Sequence, residues 1–189
     1  MSDINPKEAS ATTATANAAV MDGVLDFSDR QSFEDAARGF IATIDPITIT
    51  RESDGKTTYD LEAVKFLEGE APATANPSLW RMAQLNGLNH GLFEVVPGIY
   101  QVRSFDIANM TLIKGETGWI VIDPLTSSES SAAALALANR ELGERPVKAI
   151  IITHSHADHF AGTLGVVDPA DVASGKIPLV TPVGFTQES

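Results

Sequence analysis

Residues 147–160 read Val-Lys-Ala-Ile-Ile-Ile-Thr-His-Ser-His-Ala-Asp-His-Phe, an apolar run that breaks directly into potential metal ligands. Three of the chain's four histidines, His154, His156 and His159, fall here with the carboxylate of Asp158. His154 and His156 are two apart. In an extended segment that spacing puts both imidazoles on one face, where they converge on one ion. On a helix they would point roughly 200° apart and could not share it. The preceding strand favours the extended reading. Asp158 and His159 are adjacent and diverge if the chain bends, which the small residues Ala157, Ala161 and Gly162 permit. This second pair would then serve a second ion about 4 Å from the first, the separation used by two-metal hydrolases. Imidazole and carboxylate suit zinc at roughly 2.0–2.2 Å, although the same donors also suit manganese or iron. Burying so many polar groups without a partner would cost several kcal/mol. The stretch therefore predicts a metal-dependent hydrolase, sited beyond the carboxyl end of a sheet strand.

Upstream, the sequence supplies a sheet for that strand. Leu92-Phe-Glu-Val-Val, Ile99-Tyr-Gln-Val-Arg, Asn109-Met-Thr-Leu-Ile and Trp119-Ile-Val-Ile are four strand-like runs. Pro97-Gly98, Asp106 to Ala108 and Gly115 to Gly118 separate them, and the close spacing predicts an antiparallel meander. Asp123-Pro124 ends the fourth run. Ser127 to Leu142 reads as a helix with serines at its start and Gly143 at its end. Val147 to Ile152 follows as a strand apolar enough to be buried on both faces. Downstream, Ile177 to Val180 reads as a further strand. Gly184 to Ser189 reads as a helix opening at Thr186 and left unfinished, so a truncated sequence is expected.

The region before Gly91 is expected to be an extension draped over this core. Residues 1–22 read as a disordered lead-in, because Ala9 to Ala19 offers nothing large to bury. Within 23–90, Asp29 to Ile44 carries Phe33, Ala36, Ala37, Phe40 and Ile44 at helical spacing, with Ser32 as cap and Pro46 as terminator. Ile47 to Thr50 alternates like a strand, Tyr59 to Leu67 fits a strand or a short helix, and Asn76-Pro77-Ser78 opens a helix over Leu79 to Leu85. Residues 91–189 form the main domain.

Composition narrows the partners. The 189 residues carry 13 basic and 25 acidic side chains, a formal charge of −12. Such a surface repels phosphate backbones and anionic lipid, which argues against nucleic acid and membrane as partners. An anionic substrate would need a locally positive site, which bound cations supply. The absence of cysteine removes disulfides, thiolate zinc sites and Cys nucleophiles and fits a cytoplasmic location. The first residues lack the pattern of a secretory signal, and no apolar run approaches the ~18 residues of a spanning helix.

Thr153-His-Ser-His-Ala-Asp-His159 resembles the T-H-x-H-x-D-H signature of the metallo-β-lactamase superfamily. The meander, helix and strand before it resemble the first half of that α/β fold, an αββα sandwich with a mixed sheet. Within the superfamily the chain is most similar to the alkylsulfatases, which degrade sulfate esters such as dodecyl sulfate. Ser78-Leu-Trp-Arg81, the run His90 to Arg103, Asn109 to Ile113, Gly118 to Asp123, Glu141 to Pro146 and His156 to Phe160 carry this likeness, over roughly residues 75–189. The resemblance implies a binuclear zinc centre, with His154 and His156 on one Zn2+ and Asp158 and His159 on the other. It implies metal-activated water attacking an alkyl sulfate, releasing inorganic sulfate and an alcohol. It also implies a homodimeric full-length protein. The family completes its site with two glutamates and a histidine further along, whereas only Glu188 follows His159 here. A dimerisation region and a sterol-carrier-like domain would be missing as well. The family's Gly-Gly after the motif is Ala161-Gly162 in this chain.

Asp123 resembles the superfamily's buried aspartate behind the ligand loop, which would orient a ligating imidazole; the plainer reading is a turn-starter before Pro124. Arg81 and Arg103 read as solvated or structural cations, with an anionic head group as the alternative. His90 reads as structural, Asn109 as the start of a strand, and Trp80, Phe93, Trp119 and Phe160 as core. Two other functions stay open: a hydrolase of the same fold acting on a lactone, thioester or other ester, and a catalytically incomplete zinc-binding fragment.

Overall fold

The computed structural model describes residues 7–23 and 25–188. Helices α1 (Ala11–Met21) and α2 (Gln31–Ala37) lead to strands β1 (Phe40–Ala42), β2 (Thr48–Thr50) and β3 (Thr57–Asp60). A 3-10 helix over Glu62–Glu68 and α3 (Pro77–Gly87) follow. The meander is β4 (Gly91–Val96), β5 (Ile99–Arg103), β6 (Met110–Lys114) and β7 (Trp119–Ile122). Then come α4 (Ser128–Leu142), β8 (Val147–Ile151), α5 (Ala157–Phe160), a 3-10 turn at Thr163–Gly165, α6 (Pro169–Ala173), β9 (Leu179–Val180) and α7 (Phe185–Glu188).

Among the described residues, seven strands form one mixed sheet in the order β1-β4-β5-β6-β7-β8-β9. Pairing is antiparallel up to β7 and parallel from β7 to β9. The expected meander is therefore present, and α4 makes the crossover that parallel pairing of β7 with β8 requires. Period-2 alternation sorts the side chains. Tyr100, Leu112, Val121 and Ile150 are cross-strand partners in one buried row. They share a core with Ala134, Leu137 and Ala138 of α4. The row Ile99, Ile113, Ile120 and Ala149 lies on the opposite face, only partly covered. For the same reason β8, expected to be buried on both faces, is buried on one: Ile150 is enclosed while Ala149 and Ile151 are half-buried.

Trp119 anchors the core. It is fully buried, stands edge-on to Tyr100 at 6.0 Å, and donates its Nε1–H to Asn139 Oδ1 at 2.8 Å. Truncating such a side chain to alanine typically costs about 3–5 kcal/mol. Phe93 is buried as expected; Phe160 is half-buried against Phe185. Trp80 lies outside this core, partly exposed beside Phe66, with its Nε1–H on the Gly69 carbonyl.

The N-terminal third departs furthest from expectation. The stretch read as a disordered lead-in is helical over Ala11–Met21, capped by the Ser10 hydroxyl on Thr13 N–H; residues 1–6 lie outside the described ones. None of its residues is buried, so alanine propensity and a good cap sustain it in place of a buried face. Asn17 ties it to the Ala73 carbonyl. The single helix expected over Asp29 to Ile44 stops at Ala37. Asp29, not Ser32, accepts from its first turn at Gln31 N–H. Gly39 then turns the chain with φ of +76° and offers its carbonyl to Glu94 N–H at 2.7 Å. Phe40 consequently pairs with Phe93 as an edge strand. The extension thus supplies a strand to the main sheet, and Gly91 is not a clean boundary.

Tyr59 to Leu67 divides between the end of β3 and the 3-10 helix, and Asn76 caps α3 as expected. At the other end, Thr186 lies within α7, not at its cap, and Ser189 is outside the described residues. The remaining candidates are structural. Arg81 donates to the Asp29 carbonyl at 2.5 Å. Arg103 lies over the Phe93 ring and donates to Gln101 Oε1 and the Ala36 carbonyl. His90 Nδ1 bonds to Thr43 Oγ1 at 3.0 Å. Asn109 is exposed just before β6.

Candidate metal centre

The site is built on the turn that leaves β7. Asp123 N–H donates to the Ile151 carbonyl, continuing the β7–β8 ladder by one residue. Asp123 and Leu125 both adopt left-handed backbone, with φ of 54° and 64°. Aspartate tolerates this region; leucine rarely does, at roughly 1–2 kcal/mol. Leu125 is fully buried and its N–H bonds back to the Asp123 carbonyl, so packing holds the strained form.

That backbone aims the Asp123 carboxylate at the loop after β8. Oδ1 accepts Thr153 N–H at 2.8 Å, and Oδ2 accepts the Thr153 hydroxyl at 2.6 Å and His159 Nδ1–H at 2.9 Å. Because a carboxylate oxygen only accepts, His159 carries its proton on Nδ1 and leaves the Nε2 lone pair for a cation. A second tautomer follows. The Thr153 hydroxyl has one hydrogen, given to Asp123, so across its 2.9 Å contact with His154 Nδ1 it accepts. His154 therefore also keeps Nε2 free. These assignments come from the partners, since hydrogens are placed by the network they complete.

His154 and His156 lie in a non-helical segment before α5 that bends at His154-Ser155 instead of running extended, and His156 is the residue at the helix N-cap. The expected bend is one helical turn, carrying Asp158 and His159. Their side-chain heads do not diverge: Asp158 Oδ2 lies 3.3 Å from His159 Nε2. Two tetrahedral ligands about 2.0–2.1 Å from one zinc stand about 3.3–3.4 Å apart, so this pair has the spacing of a shared ion. The His154 ring centre is 4.0 Å from that of His159 and 4.7 Å from that of His156.

Donor atoms of Asp123, His154 and His159 lie within 4.8 Å of one another, a grouping that differs from the expected pairs by including Asp123 and omitting His156 and Asp158. Proximity alone overstates Asp123. Its two oxygens already receive three protein donors, which makes it the orienting carboxylate behind His159. His156 is exposed, while Asp158 is half-buried.

The loop is fastened at its far end by contacts that sequence reasoning missed. Gly162 N–H donates to the Leu125 carbonyl at 2.9 Å, and Ser131 Oγ of α4 donates to the Gly162 carbonyl at 2.5 Å. A β-carbon on Gly162 would run into the Pro124 and Ser127 carbonyls, and one on Gly165 into Ser128 and Ser131. Gly162, at φ of −81°, is thus required for close approach and not for a bend. Thr153, which the sequence presents only as the first residue of the motif, gives both its N–H and its hydroxyl to Asp123.

This fold and this loop define a class. Residues 103–189, just under half of the chain, match the sequence model of the metallo-beta-lactamase superfamily. The proteins the chain is similar to over nearly its whole length are named alkylsulfatases. The chain is 45% identical over 182 residues to an alkyl/aryl-sulfatase of Saccharomyces cerevisiae, covering 96% of this chain and 28% of that protein. It is 44% identical over 187 residues to an (R)-specific secondary-alkylsulfatase of Pseudomonas sp., covering 98% of this chain and 28% of the relative. The solved structure of the stereoselective inverting sec-alkylsulfatase Pisa1 from Pseudomonas sp. superposes with a TM-score of 0.89 at 46% identity, covering 96% of this chain and 28% of that one. The chain thus spans somewhat over a quarter of the length of these relatives.

Proposed function

We propose that the protein carrying this chain hydrolyses alkyl sulfate esters at a zinc centre, releasing inorganic sulfate and an alcohol. The likeness to proteins named alkylsulfatases, over nearly the whole chain, supports the substrate class. The observation that carries the chemistry is the pair His159 Nε2 and Asp158 Oδ2, 3.3 Å apart with His159 held from behind by Asp123. His154, His156, Asp158 and His159 are the ligands this chain would give to two zinc ions. Zinc, when bound, supplies a Lewis acid that makes water nucleophilic near neutral pH and offsets the sulfate's charge. The chain's own part is positional. Asp123 fixes the proton on His159 Nδ1, Thr153 fixes the one on His154, and the Gly162 anchor holds the loop's far end. With a formal charge of −12, the surface would repel an anionic substrate, so attraction must be local to the cations. A homodimeric full-length protein is what the resemblance to the alkylsulfatases implies, and the cysteine-free composition is compatible with a cytoplasmic location.

The test is inorganic sulfate release from dodecyl sulfate by the full-length protein, zinc-loaded, metal-stripped and reloaded. A lactone, a thioester and a phosphodiester serve as competing substrates. Release that vanishes on stripping and returns with zinc is expected. Turnover of another ester without sulfate release overturns the substrate class; undiminished activity after stripping overturns the metal.

A further inference from the structure

A second buried carboxylate, Asp106, lies in the β5–β6 connection and bonds to Thr126, the residue after Leu125. Oδ2 accepts Thr126 N–H at 2.9 Å, and Oδ1 accepts the Thr126 hydroxyl at 2.8 Å and Ile107 N–H at 2.6 Å. Among the described residues no ion pair is recorded for it. Burying a carboxylate without a cation is expensive unless its hydrogen bonds replace water, and here all three bind loop.

The arrangement repeats that of Asp123. Each aspartate takes the backbone N–H and the hydroxyl of one threonine: Asp123 grips Thr153, and Asp106 grips Thr126. The two grips enclose Leu125, left-handed and buried, whose carbonyl receives Gly162 N–H from beyond the histidines. Thr126 is exposed and adjoins the strained residue, so the Asp106 grip is a second restraint on the turn beside the packing of Leu125.

We propose that Asp106 is a positioning residue for the metal centre. By clamping Thr126 it holds the Asp123–Leu125 turn in the geometry that points Asp123 at His159 and Leu125 at Gly162. This rests on the metal-centre reading above, but it concerns residues that touch neither cation nor substrate.

The variants are Asp106→Asn, Thr126→Val and Thr126→Ser in the full-length protein. Zinc affinity is read by competition with a chromophoric chelator, beside urea unfolding and separate kcat and KM. Asp106→Asn and Thr126→Val are each expected to weaken zinc binding about tenfold, the scale seen when support behind ligands is lost. They are expected to lower kcat with KM little changed. Thr126→Ser, which keeps both donors, should restore wild-type values. A lowered unfolding midpoint with zinc affinity and kcat within about twofold of wild type would overturn the proposal. Should Asp106→Asn not fold, the Val and Ser pair at exposed Thr126 decides. Wild-type protein that binds no zinc would remove the metal reading as well, whereas zinc-binding wild type with unaltered variants removes this proposal alone.

Discussion

His159 Nδ1 donates to Asp123 Oδ2 across 2.9 Å, joining the loop after β8 to the end of β7. Three donors converge on that one carboxylate. Asparagine in its place would offer a single oxygen and turn an NH2 toward donors, leaving Thr153 or His159 unpaired. Asp123→Asn should therefore reduce metal affinity about 10–100-fold. Elemental analysis of dialysed protein would read this directly, and full metal retention would exclude an orienting role.

His156 is exposed and is not in the three-residue cluster around Asp123. Removing it should leave the packing intact, so His156→Ala is expected to change unfolding free energy by no more than about 0.5 kcal/mol. As a ligand it should nonetheless be needed for full metal content. Wild-type stoichiometry in this variant would strike it from the ligand set.

Gly162→Ala places a methyl against the carbonyls of Pro124 and Ser127, which are backbone and cannot rotate away. Overpacking of this kind costs about 1–3 kcal/mol. Chemical denaturation measures it, with a substitution at exposed Ala161 as the neighbouring control. Equal midpoints for the two variants would show that the turn has room.

His90 is half-buried just before β4, and burial, the largest influence, lowers its pKa below the ordinary 6.5. Nearby Lys65 adds to this, while Glu62 and the residue's own backbone oppose it. The unfolded chain thus binds the proton more readily, so stability falls as pH drops from about 6.5 toward the lowered native value. Above the unfolded pKa the effect is absent. Unfolding free energies of wild type and His90→Gln, compared at pH 7.5 and 5, should diverge in the acid. Parallel curves would show that His90 titrates alike in both states.

The main sheet was legible because its strands alternate: Tyr100 and Val102, Met110 and Leu112, Trp119 and Val121 each face one core. The candidate ligand loop was legible because four side chains of metal-ligating type occupy six consecutive residues after a strand. What failed was governed by single residues. Phe40 and Ile44 continue a helical period that Gly39 breaks with its left-handed backbone, and only pairing with Phe93 reveals the strand. Ala11–Met21 buries nothing, so hydrophobic pattern is silent about it while alanine propensity forms the helix. Asp106 looked like a turn residue because its partner, Thr126, lies 20 residues away and its burial comes from the tertiary fold.

Every contact described that orients His154 and His159 runs from protein to protein, through Thr153 and Asp123. In a zinc finger the ion creates the fold, and chelation unravels it. Here the contacts that aim the imidazoles are the protein's own, so a cation would enter a seat already shaped. Stripping should consequently leave an intact, refillable apoprotein, so that manganese, cobalt or iron can be exchanged into the same seat and compared without refolding the chain.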